Sequence, residues 1–396
     1  MKSKNFLINM PVIGKVCAKG VWDESVPGIE FDKDGVSNYA HLFDRLVEEY
    51  PRGERGRLAW DEKVEKMKRH GKGKKYDCII GVSGGTDSCY LLHMAKSQYG
   101  LRPLAVNLDN GWNSDIAVEN IKKVTSKLNI DLITYVIDYE EIKDLMRVFM
   151  LGGIPWIDTP TDLAIKAVMY KIASKEKSKY VLRGNDFRSE GTQPIEWTGG
   201  DAKVLKYLHK KYGKTKLKTY PNYTLLNFIY YGFVKGIKSI YPYYHLDYQK
   251  KSAQEVLKNE YDWEYYGGHH HENIFTKFVM SYWLPVKFNI DKRKISLSAQ
   301  ILSKAIERDA AINELVLLPY NRDEIDNSIK YVIKKLDFQA DEFDKIMNSA
   351  NKSFFDYPSY YPLFTKFRII TNWILKLVLN KKPMAMFQIE MRTHKK

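Results

Sequence analysis

Three cysteines, Cys17, Cys78 and Cys89, are too few to staple a fold by disulfides, so a hydrophobic core must carry this chain. No run of eighteen apolar residues occurs, which excludes a helical membrane span of ordinary kind. The opening residues MKSKNFLINMPVIGKVCAKG show no long apolar stretch and no small-residue cleavage site, so no signal peptide and a cytoplasmic location are expected. The Walker pattern G-x-x-x-x-G-K-S/T is missing, which removes the commonest phosphate-binding loop. Internal repeats and low-complexity tracts are missing as well. Acidic residues are in deficit, 48 against 63 Lys and Arg, for a net charge of +15. That balance suits an anionic substrate, a nucleic acid or an anionic lipid surface, although lysines scattered along helical stretches also describe a plain solvated face.

What is present is concentrated in Cys78-Ile79-Ile80-Gly81-Val82-Ser83-Gly84-Gly85-Thr86-Asp87-Ser88. An apolar strand runs into S-G-G-T-D-S, and a helical pattern follows at once. The unpaired N–H groups of a helix N-terminus then point into a glycine turn, a seat for phosphate. Gly84 and Gly85 permit close approach of an anion, and Ser83, Thr86 and Ser88 add hydroxyl donors. Asp87 is the first candidate for a Mg²⁺ that shares pyrophosphate charge; as a bare feature it would cap the helix. The loop resembles the PP-loop of ATP pyrophosphatases, which split ATP into AMP and pyrophosphate.

From Tyr76 to about Arg183, short apolar strands alternate with helical patterns: CIIGV, LAVNL, a helix near 116–128, LITYVI, a helix near 162–176, and a strand at 180–183. This order predicts an α/β fold, a parallel sheet with flanking helices. Ligands of such sheets bind beyond the carboxyl ends of the strands, which gathers the PP-loop, Asp109-Asn110-Gly111 and Gly184-Asn185-Asp186 on one rim. A small N-terminal module over 1–70, with a helix near 38–49, precedes a catalytic domain over 71–300. A helical region over 301–396 follows. Near the end, Phe367, Ile369, Ile370, Trp373 and Ile374 alternate with Lys366, Arg368 and Lys376, a basic amphipathic helix suited to an anionic membrane or to packing on a domain or partner.

The blocks TPTDLAI (159–165), YGGHHHENIFTKF (266–278), YWLPVKFNIDKRKISLS (282–298) and FDYPSYYPL (355–363) narrow the family. With the PP-loop they resemble the N-acetyl sugar amidotransferases of bacterial surface-polysaccharide synthesis, over nearly the whole chain. The resemblance implies an enzyme that uses ATP and ammonia to convert an acetamido group on a UDP-linked sugar into an acetamidino group. It also implies a partner glutaminase with a cyclase-like subunit, similar to imidazole glycerol phosphate synthase, as the source of ammonia. The family often opens with two C-x₂-C pairs; here the matching positions are Cys17, Gly20, Ser37 and Ala40, so no zinc is expected.

Under this resemblance, Ser83, Gly84, Gly85, Thr86, Asp87 and Ser88 would grip the terminal phosphates, with Asp109 and Asn110 beside the nucleotide. Gly184 and Asn185 would approach AMP or the activated imidate, and Glu190 would bind substrate or orient ammonia. Lys287, Lys292 and Arg293 are candidates for pyrophosphate or UDP-phosphate contacts. His270 and Glu272 are candidates for acid–base work. The run His269-His270-His271 also invites a metal, but adjacent side chains of a helix do not face one ion. The residue after Met1 is Lys2, and neither Cys78 nor Cys89 lies in a nucleophile's setting, so glutamine hydrolysis by this chain itself is not expected. The competing readings are a tRNA-modifying PP-loop enzyme, suggested by the positive charge, and a catalytically silent interaction protein. The first lacks paired cysteines to carry sulfur; the second sits poorly with an intact loop. No nucleic-acid partner is expected.

Overall fold

Along the first strand, alternate residues must bury on opposite faces of a sheet, and in β1 (Cys78–Gly81) they do. Cys78 and Ile80 enter one apolar cluster, Ile79 the other. The computed structural model describes residues 12–268, 271–320, 322–379 and 384–393. Its sheet also contains β2 (Pro103–Asp109), β3 (Leu132–Val136), β4 (Tyr180–Leu182) and β5 (Lys238–Ile240). All pairings are parallel, in the order β3-β2-β1-β4-β5.

Helices cover both faces, which is why the inner strands read as continuous apolar runs. On one side lie α2 (Gly53–Gly71), α3 (Thr86–His93) and α4 (Asp115–Lys127), contributing Trp60, Leu91 and Val124. On the other, α6 (Thr159–Lys175) packs Val168, Met169 and Ile172 against Ile79 and Val106. The chain order reverses between β1 and β4. The carboxyl ends of the two central strands therefore diverge into a crevice, the usual ligand position in doubly wound sheets.

A larger cluster beside the sheet joins α5 (Tyr139–Leu151) to helices of the second half through Phe149, Phe275, Phe278, Trp283 and Phe343. The N-terminal segment contributes Cys17, Trp22 and Tyr39 to this same cluster, next to α1 (Asn38–Glu49). Three elements depart from the sequence reading: the helices α2 and α5 and the strand β5 have no counterpart in it. The segments 349–353 and 357–360 also interrupt the helices expected beyond residue 321. No helix among the described residues is long and apolar enough to cross a membrane.

Candidate active site

The S-G-G-T-D-S loop is held from behind. Gly84 adopts φ +82°, and its carbonyl accepts hydrogen bonds from Trp263 Nε1 at 3.0 Å and Asn120 Nδ2 at 3.3 Å. With that carbonyl pinned outward, the next N–H groups turn inward at the start of α3, where the helix dipole is positive. The hydroxyls knit the turn: Ser83 N–H donates to Ser88 Oγ at 3.1 Å, and Ser88 Oγ donates to the Gly85 carbonyl at 3.2 Å. Over the mouth lie Tyr266 and Glu272. Thr86 N–H donates to Tyr266 Oη at 3.2 Å, and Ser83 Oγ donates to Glu272 Oε1 at 3.3 Å. Oxygen acceptors thus already face the donors that a phosphate would use.

Asp87 occupies the first turn of α3. Tyr248 Oη donates to its Oδ1, Lys250 Nζ stands 3.6 Å from its Oδ2, and Tyr243 Oη donates to its carbonyl at 2.8 Å. Burial alone would lower the Lys250 pKa, but the carboxylates of Asp87, Glu190 and Glu272 override it and raise the value. Lys250 is therefore an ammonium at neutral pH, set beside the loop. Gly184, at the end of β4, lies so close to α3 that a Cβ there would stand 3.1 Å from the backbone of Asp87.

A cavity of about 380 Å³ opens beyond these strand ends. Loop residues Ser83, Gly85, Asp87 and Ser88 form one wall, and Gly184, Asn185 and Glu190 form another. Asp158 and Asp162, at the start of α6, and Glu272 add three more carboxylates, with Arg183 as a neighbouring cation. Asn110 is on the wall but fully engaged: its amide donates to Thr161 Oγ1, and its carbonyl accepts from Trp112 N–H and Asn273 Nδ2. Its clear contribution is to tie β2 to α6 and to the 273 segment. Asp109 accepts from Gly111 N–H at 2.8 Å, an Asx turn outside the cavity wall. Asn185 Nδ2 donates to Glu190 Oε2 at 3.1 Å.

Glu190 also lines a second cavity, of about 460 Å³, whose walls carry Arg52, Arg188, Lys250, Lys292 and Arg293. Much of that charge is matched internally. Arg52 bonds Asp186 at 2.8 Å, and Arg293 bonds Asp291 at 2.7 Å. Burial pushes Asp186 up to about 6 against the pull of Arg52. Lys292 stands apart. Its Nζ lies 4.0 Å from the centre of the Trp156 ring, which lines the first cavity, so it sits in the partition between the two. Burial brings its pKa down to about 8, partly offset by Asp162, Glu190 and Asp158.

A cation whose folded pKa lies below its unfolded one costs stability below the folded value, and the cost fades as pH rises through it. Lys292→Met is therefore expected to stabilise the fold at neutral pH by about 2 kcal/mol, allowing for solvent in the cavity. The gain should shrink above pH 8. Thermal melts of the variant across that range check it, and a less stable variant at pH 7 would contradict it.

The remaining candidates lie elsewhere. Lys287 lines neither cavity; its ammonium donates to the carbonyls of Ile346, Met347 and Ser349, closing the end of the helix Ala340–Asn348. His270, with His269, lies outside the described residues. At the N-terminus, Ser37 N–H donates to Cys17 Sγ at 3.2 Å, Gly20 N–H to the Cys17 carbonyl and Ala40 N–H to Ser37 Oγ. The four positions matching the family's cysteines are therefore neighbours in space. One thiol and one hydroxyl do not make a tetrahedral zinc donor set.

Magnesium makes a different demand. Among the described residues no three His, Cys, Asp or Glu form a metal-holding group. Mg²⁺ on a nucleotide needs only one or two carboxylates beside phosphate oxygens and water. Asp87 and Glu272, both on the cavity wall by the loop, are donors of that kind.

Several functional candidates have no role in the sequence reading. Trp263, Tyr248 and Lys250 come from the second half and carry no motif, and Tyr266 opens the block 266–278 without being singled out there. Asp158 and Asp162 were legible in principle, being two carboxylates four residues apart at the start of a helix.

Residues 272–370 match the family described as LPS biosynthesis protein WbpG-like, C-terminal domain. An uncharacterized protein of Methanocaldococcus jannaschii is 34% identical over 94 residues, which cover 22% of this chain and 34% of that protein. The chain thus spans about a third of the length of the curated relative it matches. Among solved structures, the NH3-dependent NAD synthetase of Campylobacter jejuni matches 44% of this chain and 73% of its own, at 12% identity and TM-score 0.26. The U34-tRNA thiolase NcsA of Methanococcus maripaludis matches 77% and 89%, at 12% identity and TM-score 0.31. The NAD+ synthetase of Burkholderia pseudomallei matches 57% and 97%, at 16% identity and TM-score 0.25. Likenesses this distant carry no functional weight.

Proposed function

We propose that this chain is an ATP-dependent, AMP- and pyrophosphate-forming amidotransferase. It would convert the acetamido group of a UDP-linked N-acetyl sugar into an acetamidino group during lipopolysaccharide or related surface-glycan synthesis. The observation that carries the reading is that one cavity joins two signals. The PP-loop forms one wall, and Glu272, Asn273 and Thr276, from the first residues of the LPS-biosynthesis match, form another.

In this reading the loop N–H groups and the hydroxyls of Ser83 and Ser88 hold the β- and γ-phosphates, after Tyr266 and Glu272 yield their places. The Thr86 hydroxyl, expected to join them, is buried off the cavity wall and takes a hydrogen bond from Gln254 Nε2 at 3.3 Å. The acetamido oxygen attacks the α-phosphorus, pyrophosphate leaves, and an imidate linked to AMP results. Ammonia then adds to the imidate carbon, the C–O bond to AMP breaks, and one proton leaves the nitrogen to give the amidine. Lys250 neutralises charge on the departing pyrophosphate. Magnesium, held by Asp87 and Glu272, would supply further charge neutralisation there. The carboxylates of Asp158, Asp162 and Glu190 give an ammonium or amidinium a favourable field. Lys292, whose pKa is lowered to about 8, is mainly an ammonium at pH 7, and its neutral form, which grows as pH approaches 8, would accept the proton that ammonia sheds. The second cavity, with its basic wall and shared Glu190, is the place for the sugar's diphosphate.

Burial of all three thiols supports an outside source of ammonia. Cys78 and Cys89 are enclosed, and burial pushes both thiols well up, so neither is a nucleophile for glutamine nor a carrier of sulfur. A partner glutaminase with its cyclase-like subunit would deliver ammonia; ammonium salts would replace it in a purified assay. The test is incubation with ATP, Mg²⁺, ammonium and UDP-N-acetyl sugars. A product lighter by about one mass unit, formed with AMP, supports the reading, and ATP cleavage to ADP and phosphate defeats it.

A further inference from the structure

Two surface segments carry apolar side chains at helical spacing yet turn them to solvent. In the first, Leu226, Ile229, Tyr230, Phe233 and Val234 follow the i, i+3, i+4, i+7, i+8 pattern that normally marks a core-facing stripe. All five are exposed, Leu226 by 77% and Val234 by 69%. In the second, the helix Arg368–Leu379 exposes Ile369 by 77% and Trp373 by 66%, with Ile370 between them. These three fall within roughly a 100° arc of the helix, while Leu375 is buried on the far side.

The two segments meet. Phe228, from the first, packs against the cluster of Leu375, from the second, with Met386 and Ile389, together with Tyr361 and Phe364 from the helical turn before it. Of 23 exposed large apolar side chains among the described residues, eight belong to these two stretches, and Leu363 and Phe367 just before the second add two more, so the apolar surface is concentrated. Patches of this kind on a soluble surface mark a docking site.

The charge pattern selects the occupant. Neither 225–238 nor 361–382 contains an acidic residue, whereas Lys235, Lys238, Lys366 and Arg368 stand within a few residues of the exposed side chains in sequence. Lys235 Nζ lies 5.4 Å from the Tyr230 ring, and Lys366 Nζ lies 5.7 Å from the Phe367 ring. Cations beside aromatics at the edge of an apolar stripe match the headgroup layer of an anionic bilayer, where Trp and Tyr also settle. We propose that this face docks the protein on the surface of an anionic phospholipid membrane. Residues 225–238 and 363–374 would lie in the interface and nothing would cross it. The inference is independent of which reaction the cavity performs.

Flotation of the full chain with phosphatidylglycerol–phosphatidylcholine vesicles tests it, with pure phosphatidylcholine vesicles as reference. The wild type is expected to float with the anionic vesicles and to be released at about 0.5 M salt, where charges are screened within a few ångströms. Ile369→Ser/Trp373→Ser and Leu226→Ser/Val234→Ser should each reduce partitioning at least tenfold. Lys366→Glu/Arg368→Glu should remove the preference for anionic lipid, and Leu58→Ser, an exposed apolar side chain on α2, should change nothing. All these positions are on the surface, and unchanged melting curves will show that the fold is intact. Failure of the wild type to float, or full partitioning of both serine pairs, overturns the proposal. So does a salt-stable dimer, abolished by the same serines, without lipid binding.

Discussion

Replacing Gly84 with alanine is expected to destabilise the protein and abolish nucleotide binding together, whereas Gly85→Ala should abolish binding alone. The neighbouring glycines do different physical work. At Gly84, φ is +82°, and a Cβ would stand 2.3 Å from the Ala117 carbonyl oxygen and 2.7 Å from its Cα. Those atoms belong to the backbone of α4 and cannot give way. Left-handed strain plus forced separation of α3 from α4 should cost about 3 kcal/mol, with the Trp263 and Asn120 bonds to Gly84 weakened as well. At Gly85 the backbone is extended, with φ −74°, and the nearest atoms to a Cβ are Tyr266 Oη, Glu272 Oε1 and Ser83 Oγ at 3.0–3.2 Å. Those side-chain ends can move, so the melting temperature should hold within a few degrees. The added methyl would still stand in the mouth where phosphate oxygens are to sit. Calorimetry and nucleotide titration of the two variants separate the effects. ATP binding by Gly85→Ala at wild-type strength would show that the mouth is not the phosphate seat.

Asp87→Asn should reduce AMP formation on the order of a thousandfold, the scale on which preorganised charge at a reacting phosphate acts. The substitution keeps the side chain's shape. It removes a negative charge that faces Lys250 at 3.6 Å and lies at the positive end of α3. The helix loses up to about 1 kcal/mol, too little to unfold it. Lys250 loses its largest favourable partner, leaving Glu190 and Glu272, with Tyr265 behind them, to hold its pKa up. If Asp87 served solely as a helix-end charge, the loss of activity would track that small loss of stability. A variant that turns over within a few-fold of wild type would remove Asp87 from the metal and pyrophosphate chemistry.

Much of the sheet was legible because its strands advertise themselves. CIIGV, LAVNL and LITYVI are short apolar runs between helical patterns, and the S-G-G-T-D-S turn fixes which strand leads into the crevice. β5 was hidden for the opposite reason. Its three residues, Lys238–Ile240, have no apolar run and are a strand only because β4 offers an edge to pair with. The loop's own residues could be read, but the groups that hold it in shape could not. Trp263 and Tyr266 lie about 180 residues downstream of the atoms they bond; nothing local marks Trp263, and the block that begins at Tyr266 does not say that its hydroxyl meets the loop. Lys287 illustrates the converse limit. A lysine in a family block invites a phosphate, yet three carbonyls at the end of a distant helix take up its donors. Lys292, five residues on, projects into the partition between the cavities, and only three-dimensional packing distinguishes the two.

The central claim is that the glycine turn before Thr86 drives acceptor-dependent transfer of AMP. Its most direct measurement is positional isotope transfer, using a UDP-N-acetyl sugar labelled with ¹⁸O in the acetamido carbonyl, with ATP, Mg²⁺ and ammonium. The account predicts that the ¹⁸O leaves the sugar and appears in the phosphate of AMP, one atom per amidine formed, with pyrophosphate unlabelled. Retention of the label on the sugar, or its appearance in inorganic phosphate beside ADP, would contradict it.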